Sequence, residues 1–191
     1  MIMYLKNICK NYLCYFFSKF KLFLNYLYNS LLLSKNTDEI SIDDIIEFQQ
    51  KWSNSIVKMG NYKNNKYKLN KYCNRFIDKF YHNPPNILFK PTKAKINPFR
   101  RTKKEILSYF ITGEIKKDRG FVLNQWQIIK WNNTNIIIKD NYALCMGHYK
   151  FESRLSSISD IIAEYSFVFE KNKKNELKIR LHHSSIPYKL N

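Results

Sequence analysis

The end of the chain most narrowly limits what it can fold into. A strand-like run, Glu176–Leu181, passes directly into His182-His183-Ser184-Ser185-Ile186-Pro187. Neighbouring side chains of a strand point to opposite faces, so unbroken alternation places His183 on the apolar face of Ile179 and Leu181. We therefore predict that His183 points into the domain. The residues of the opposite face, which we expect to meet a partner chain or solvent, are Arg180, His182 and Ser184.

Helical spacing dominates the first half of the folded part. Ser41 is a typical N-cap, and apolar residues then recur at helical intervals as far as Gly60. A second helix is predicted over Leu69–Tyr81, before Pro84-Pro85. The pattern from Thr102 to Glu105 is a capping box, which predicts a short third helix ended by Gly113.

Strand-like texture dominates the second half. A short early strand is predicted at Ile87–Phe89, and four longer runs rich in aromatic and branched residues follow. These runs are Val122–Trp131, Ile136–Phe151, Ile161–Glu170 and Glu176–Ser185, with a polar turn predicted at Asn132–Asn135. Helices followed by four strands predict an α+β domain in which the N-terminal helices pack on a curved antiparallel sheet.

The formal charge of +18 is concentrated in two parts of the chain. Residues 1–36 contain five lysines and no acid, and residues 58–104 contain fourteen basic residues and one acid. Such a segment is most simply explained as a solvated lysine-rich face, and the alternative is that it binds an anionic partner, either RNA or a lipid surface. The densest point, which we predict to bind anions, is Arg100, Arg101, Lys103 and Lys104.

The first 37 residues are predicted to be separate from the folded part, residues 38–191. Their uncharged runs are shorter than the roughly 20 residues of a membrane-spanning helix. A cationic, acid-free start is typical of a mitochondrial transit peptide, and the alternatives are a signal anchor, a leader for the plastid or another organelle, or a membrane-surface helix that the mature protein retains. We expect a mitochondrial location.

The cysteines and histidines do not predict a metal site. The four cysteines form no CxxC pair, which predicts neither a zinc site nor a disulfide framework. His182 and His183 point apart in a strand and so cannot share one metal. We expect no metal and no cofactor.

The order of several short elements resembles a known group. It is carried by Ile87-Leu88-Phe89-Lys90-Pro91-Thr92, Gly147-His148-Tyr149-Lys150-Phe151 and the terminal His-His-Ser-Ser-Ile-Pro. The chain resembles the SnoaL-like and calcium/calmodulin-dependent kinase II association-domain group of the nuclear transport factor 2-like superfamily, over about residues 42–188. The resemblance implies a cone-shaped, cystatin-like α+β fold that encloses a pocket and dimerises through its sheet.

Fold alone does not fix function in this superfamily. Residues expected to line the pocket are Trp52, Trp126, Tyr149, Tyr165 and His183, and the catalytic candidates among them are His183, Tyr149 and Tyr165. No secure general base or nucleophile can be named. We therefore predict a non-catalytic association protein that forms a homodimer or larger homo-oligomer. The alternatives are a SnoaL-like isomerase or hydrolyase that uses His183, and an RNA-facing subunit of an organellar ribosome.

Overall fold

The computed structural model describes residues 19–25, 39–94 and 97–188. The chain divides into two compact units, Met1–Thr37 and Asp38–Asn191. In the first unit, residues 19–25 are helical and expose Leu22 and Phe23. The remainder of the predicted targeting sequence lies outside the described residues, so the organellar location stays a prediction. Within the described ranges, none of the helices combines the length and the apolar character that crossing a bilayer requires.

Three helices open the second unit, and their starts follow from local capping. They are α1 (Ile42–Gly60), α2 (Lys66–Phe80) and α3 (Lys103–Ile111). Ser41 and Thr102 each form a capping box, as predicted. Helix α2 begins three residues before the predicted start because the Asn65 side chain accepts a hydrogen bond from the Lys68 backbone N–H.

Five strands form one sheet. They are β1 (Leu88–Lys90), β2 (Trp126–Lys139), β3 (Tyr142–Ser153), β4 (Ile161–Lys171) and β5 (Leu177–Ser185). Their order is β1-β5-β4-β3-β2, with β1 parallel to β5 and the other pairs antiparallel. The predicted α+β architecture, helices packed on a curved antiparallel sheet, is confirmed. The early strand lies beside the last one, so Phe89 faces His182 across the pair.

The predicted turn at Asn132–Asn135 is wrong. Strand β2 continues through it by a β-bulge between Asn133 and Asn135, and the chain reverses instead near Asp140, whose φ is 53°. The bulge presses against Gly147, where an added Cβ would lie 2.1 Å from the Asn132 carbonyl oxygen. Only glycine fits at this close approach.

The core lies between the helices and the inner face of the sheet, and it is mostly aromatic. Trp52 of α1 packs against Phe76 of α2 and Trp131 of β2, with ring centroids 6.0 and 5.5 Å away. Such ring pairs add to the favourable burial of apolar area. The outer face differs, because several large apolar side chains remain exposed there: Ile137, Leu144, Met146 and Ile162.

Candidate active site

Strand β5 changes face at a β-bulge. Val168 pairs with Leu181 but Phe169 pairs with Ile179, which leaves Arg180 as an extra residue. One extra residue reverses the in-and-out alternation for the remainder of the strand. His182 is therefore buried and His183 is exposed. Our prediction that His183 points into the domain is wrong.

The bulge also changes the predicted interface. Ser184, like His182, is buried on the inner face, at 0% exposure, and so cannot meet a partner chain as we predicted. Arg180 is half-buried, and its guanidinium donates to the Glu170 carboxylate and to the Asn86 carbonyl oxygen at 2.8 Å. These bonds fix the bulge within the domain.

Four buried hydroxyl groups meet beside the end of β5. They belong to Thr92, Tyr109, Tyr149 and Ser184, and we call them the hydroxyl cluster. Ser184 Oγ lies 2.6 Å from Thr92 Oγ1 and accepts a hydrogen bond of 2.6 Å from the Tyr149 hydroxyl. The Tyr109 hydroxyl faces the Thr92 side chain and the backbone of Lys93, which partly oppose the effect of burial on its pKa. All four residues are at most 8% exposed.

Four distant segments build the hydroxyl cluster. Pairing of β1 with β5 brings Thr92, two residues after β1, next to Ser184. Tyr149 points inward from the middle of β3, where its neighbours His148 and Lys150 face outward. Tyr109 comes from the buried side of α3. The cluster therefore depends on the tertiary fold rather than on one local motif.

The hydroxyl cluster is electrically neutral. Burial raises the pKa of Tyr149 to about 12 and raises that of Tyr109 still further above its ordinary value. Among the described residues, no charged side chain forms a hydrogen bond with any of the four hydroxyls. Each hydroxyl can both donate and accept a hydrogen bond, so the cluster can bind a small polar molecule or pass a proton without acquiring charge.

A second buried chain of hydrogen bonds fixes His182. Trp52 Nε1 donates to the Tyr81 hydroxyl at 3.0 Å, and that hydroxyl lies 3.1 Å from His182 Nδ1. Because Trp52 can only donate, the Tyr81 hydrogen is free to donate to Nδ1, which assigns the imidazole hydrogen to Nε2. Burial lowers the pKa of His182 to about 3, so the ring is neutral at ordinary pH.

The predicted anion-binding group does not form one free cationic surface. Arg100 is 2% exposed, and its Nη2 donates to Asp118 Oδ1 at 2.6 Å. Our prediction is therefore wrong for Arg100, because its charge is buried and paired. Lys103 pairs with Asp78 at 2.5 Å. The other two predicted residues, which are exposed, are Arg101 and Lys104.

The five residues predicted to line one pocket are divided among different places. Trp52 and Tyr149 stack near the hydroxyl cluster, with ring centroids 6.5 Å apart. Trp126 donates to the Phe121 carbonyl oxygen in another part of the core. Tyr165 also stacks on Tyr149, with ring centroids 5.1 Å apart, and its hydroxyl bonds to Asn133. His183 instead borders an outer hollow of about 530 Å³.

Sequence reasoning missed Thr92, Tyr109 and Tyr81 as site residues. The available signal was the position of Thr92, shortly after a predicted strand and directly after Pro91. The position of Thr92 indicates a site only when β1 is known to pair in parallel with β5, and this pairing joins residues about ninety positions apart. In the described part of the chain, no group of three or more histidine, cysteine, aspartate or glutamate side chains could hold a metal ion.

The fold defines the broader class. Three helices on a curved sheet, with polar side chains on its inner face, form the nuclear transport factor 2-like fold. A putative calcium/calmodulin-dependent protein kinase II association domain from Xanthomonas campestris is similar to this chain, with a TM-score of 0.52 and 18% identity over 80% of this chain and 96% of that one. At this identity the likeness concerns the fold alone.

Sequence comparison identifies a family that is more specific than the fold class. A sequence model of the family "Metal-independent carbonic anhydrase" matches residues 43–186, and the chain belongs to this family. A metal-independent carbonic anhydrase from Nostoc sp. is 29% identical over 156 residues, which cover 78% of this chain and 75% of the relative. The crystal structure of a cyanobacterial iota-carbonic anhydrase complexed with bicarbonate is also similar, with a TM-score of 0.73 and 28% identity over 80% of this chain and 96% of that one.

Membership in an enzyme family corrects our functional prediction. The chain is not a non-catalytic association protein, and the RNA-facing alternative falls with that prediction. Our alternative, a SnoaL-like isomerase or hydrolyase, was right that the chain belongs to an enzyme family. The catalytic candidate His183 faces outward, whereas Tyr149 lies in the hydroxyl cluster.

Proposed function

We propose that this chain catalyses the reversible hydration of carbon dioxide at the hydroxyl cluster without a metal ion. The observation that carries the proposal is the convergence of buried hydroxyls around Ser184, which lies 2.6 Å from both the Thr92 and the Tyr149 oxygens. The family name and the bicarbonate in a related crystal structure support the same chemistry.

The hydroxyl cluster can stabilise both the bicarbonate product and the transition state of hydration. Bicarbonate is planar and carries three oxygens that accept hydrogen bonds, and the cluster offers hydroxyl donors from three directions. In the transition state of hydration, negative charge develops on the oxygens of carbon dioxide. Fixed donors at a buried site stabilise such charge more strongly than water does, because they need no reorganisation.

The aromatic residues around the cluster support the proposal in a second way. The Tyr149 ring lies 4.9 Å from Trp131 and 4.6 Å from Phe151, measured between centroids. Carbon dioxide is small and has no net dipole, so apolar walls accept it readily. The same walls limit the number of water molecules and strengthen each hydrogen bond at the site.

A pair of neighbouring serines provides a matched test. Ser184→Ala removes the central hydroxyl, whereas Ser185→Ala removes a hydroxyl that bonds to Glu164 on the other face of β5. We expect Ser184→Ala to lower kcat/KM for hydration at least about 100-fold, and Ser185→Ala to leave it nearly unchanged. The measurement is stopped-flow hydration of carbon dioxide by chelator-treated protein. If both variants were equally active, the active site could not be the hydroxyl cluster.

We also propose that the chain forms a homodimer through the outer face of its sheet. Ile137 and Met146 are 55% and 60% exposed there, on neighbouring strands. Contiguous apolar surface of this kind marks association surfaces, and a twofold pair is the commonest arrangement.

Two further proposals concern parts of the chain outside the site. The acid-free, lysine-bearing start supports import into the mitochondrion, which a fusion of residues 1–37 to a fluorescent protein would test in cells.

The exposed cations of residues 58–104, such as Arg101 and Lys104, support an anionic partner. Salt-dependent binding to anionic vesicles or to RNA would separate the two kinds of partner.

A further inference from the structure

We infer that hydration at this site needs no general base: the proton of the attacking water passes through the Ser184 and Thr92 hydroxyls to an oxygen of the same carbon dioxide, and the product leaves as carbonic acid. This inference rests on the proposed function. It adds the route of the proton and the chemical form of the product.

The step balances without a further reactant. The water oxygen forms a bond to the carbon, and the π electron pair of one C=O bond moves to its oxygen. A water proton passes to Ser184 Oγ, the Ser184 proton passes to Thr92 Oγ1, and the Thr92 proton passes to the carbon dioxide oxygen. Both hydroxyls are restored. Carbonic acid then ionises in bulk water to bicarbonate and a proton.

The hydrogen bonds of the cluster fit this route. Ser184 and Thr92 are 2.6 Å apart, and either can donate to the other. Tyr149 donates to Ser184, which leaves the Ser184 hydrogen free to point toward Thr92. Short bonds between neutral hydroxyls allow a concerted shift of protons in which no isolated charge is buried.

The groups that could act as a base are engaged elsewhere. Nδ1 of His182 lies 3.1 Å from the Tyr81 hydroxyl, and in the tautomer assigned above it accepts the Tyr81 hydrogen. Both oxygens of Asp118 are also occupied, by Arg100 at 2.6 Å and by the Ser108 hydroxyl at 2.7 Å. The site therefore holds the proton on hydroxyls throughout.

The other ionisable groups around the cluster do not accept protons at ordinary pH either. Lys90 Nζ is engaged as a donor, because it donates to the Ser184 carbonyl oxygen at 2.6 Å. The tyrosines keep their protons because burial raises their pKa values. Among the described residues, the ionisable groups near the cluster are Tyr81, Lys90, Tyr109, Asp118, Tyr165 and His182.

This route predicts a distinctive dependence on pH. With no base to titrate, kcat/KM for hydration stays constant with pH. The overall equilibrium releases one proton, so kcat/KM for dehydration, expressed per bicarbonate, must then fall about tenfold per pH unit. A base with a pKa near neutrality gives the opposite result below that pKa: hydration rises about tenfold per pH unit and dehydration stays constant.

Stopped-flow measurements in both directions, on the full chain after chelator treatment, test the inference. Between about pH 6 and pH 9 we expect hydration to vary less than about twofold while dehydration falls with pH. Hydration that rises with pH would overturn the base-free route and leave the proposed function intact. A folded chain with no hydration activity at any pH would overturn both.

Two substitutions of Thr92 complete the test. Thr92→Val keeps the shape and removes the hydroxyl, so kcat/KM should fall about 100-fold. Thr92→Ser keeps the hydroxyl and should retain activity within about tenfold. A Thr92→Val protein that unfolds at the wild-type temperature yet keeps full activity would exclude Thr92 from the proton route.

Discussion

Two adjacent histidines show how strongly position decides what a residue can do. His182 stacks against Tyr81 and packs on Phe167, with ring centroids 6.0 and 4.3 Å away, and is 3% exposed. His183 points the other way, toward Glu164 and Lys90 on the outer face. Burial lowers the pKa of both, but only for His182 does it fall to about 3. One side chain is part of the core and the other belongs to the surface.

The buried imidazole makes stability depend on pH. The pKa of His182 is about 3 in the folded state against an ordinary 6.5, so the unfolded chain takes up a proton below pH 6.5 that the folded chain does not. The stabilisation is present above pH 6.5 and is lost as pH falls toward 3, by about 2 kcal/mol between pH 7 and pH 5. His182→Gln should remove this loss, as urea unfolding at the two pH values would show.

His183→Gln is the matched control for that experiment. His183 is exposed and its pKa shift is smaller, so its replacement should change the pH dependence far less. A His182→Gln protein that loses as much stability as wild type between pH 7 and pH 5 would contradict the assigned burial. In the wild-type protein, the His182 ring protons should show no NMR titration over the same range.

At the scale of elements, the bulge in β5 decides which residues form the site. Arg180 has no partner in β4, and its side chain bonds to Glu170 and Asn86. Deletion of Arg180 should restore simple alternation and turn His182 toward solvent, because a one-residue slip exchanges the two faces. Arg180→Ala keeps the residue count and should keep His182 buried. NMR titration of His182 distinguishes the two outcomes: we expect titration near its ordinary pKa only in the deletion variant.

The sequence predicted where helices and strands lie better than it predicted which strand residues face the core. Ser41 and Thr102 signalled their helices because caps are short-range hydrogen bonds. The bulges at Arg180 and Thr134 are set by tertiary pairing, so no local pattern revealed them. Each error in the site follows from one of these causes: His183 was assigned to the wrong face, and Thr92 was not recognised because its partner lies about ninety residues away.

A buried lysine joins β5 to the end of α2. Lys178 is 8% exposed, and its Nζ donates to the carbonyl oxygens of Asp78 and Lys79 at 2.8 and 2.9 Å. These carbonyls have no partner within the helix because they lie in its last turn. Lys178→Met should therefore lower the free energy of unfolding by about 1–3 kcal/mol. Lys174→Met, in the exposed turn before β5, should change it by less than about 0.5 kcal/mol in the same urea titration.

For the whole molecule, the charge of +18 and the apolar outer face act in opposite directions on self-association. Like charges on two copies repel, and added salt screens that repulsion. A dimer that buries Leu144 and Met146 should therefore persist or tighten as salt increases, whereas a dimer held by ion pairs would weaken. Light scattering after size exclusion, at low and moderate salt, would measure the mass against 23.1 kDa for one chain.

The outer face offers a substitution that separates assembly from folding. Leu144 is 42% exposed at the centre of that face, so Leu144→Glu can dissociate the dimer without burying a charge in the core. Tyr67→Glu, at a 75% exposed site on α2, is the control and should leave the mass unchanged. A monomeric wild type would contradict the interface. If Leu144→Glu is monomeric but retains hydration activity, each hydroxyl cluster works alone, as expected for a site built from Thr92 to Ser184 of a single chain.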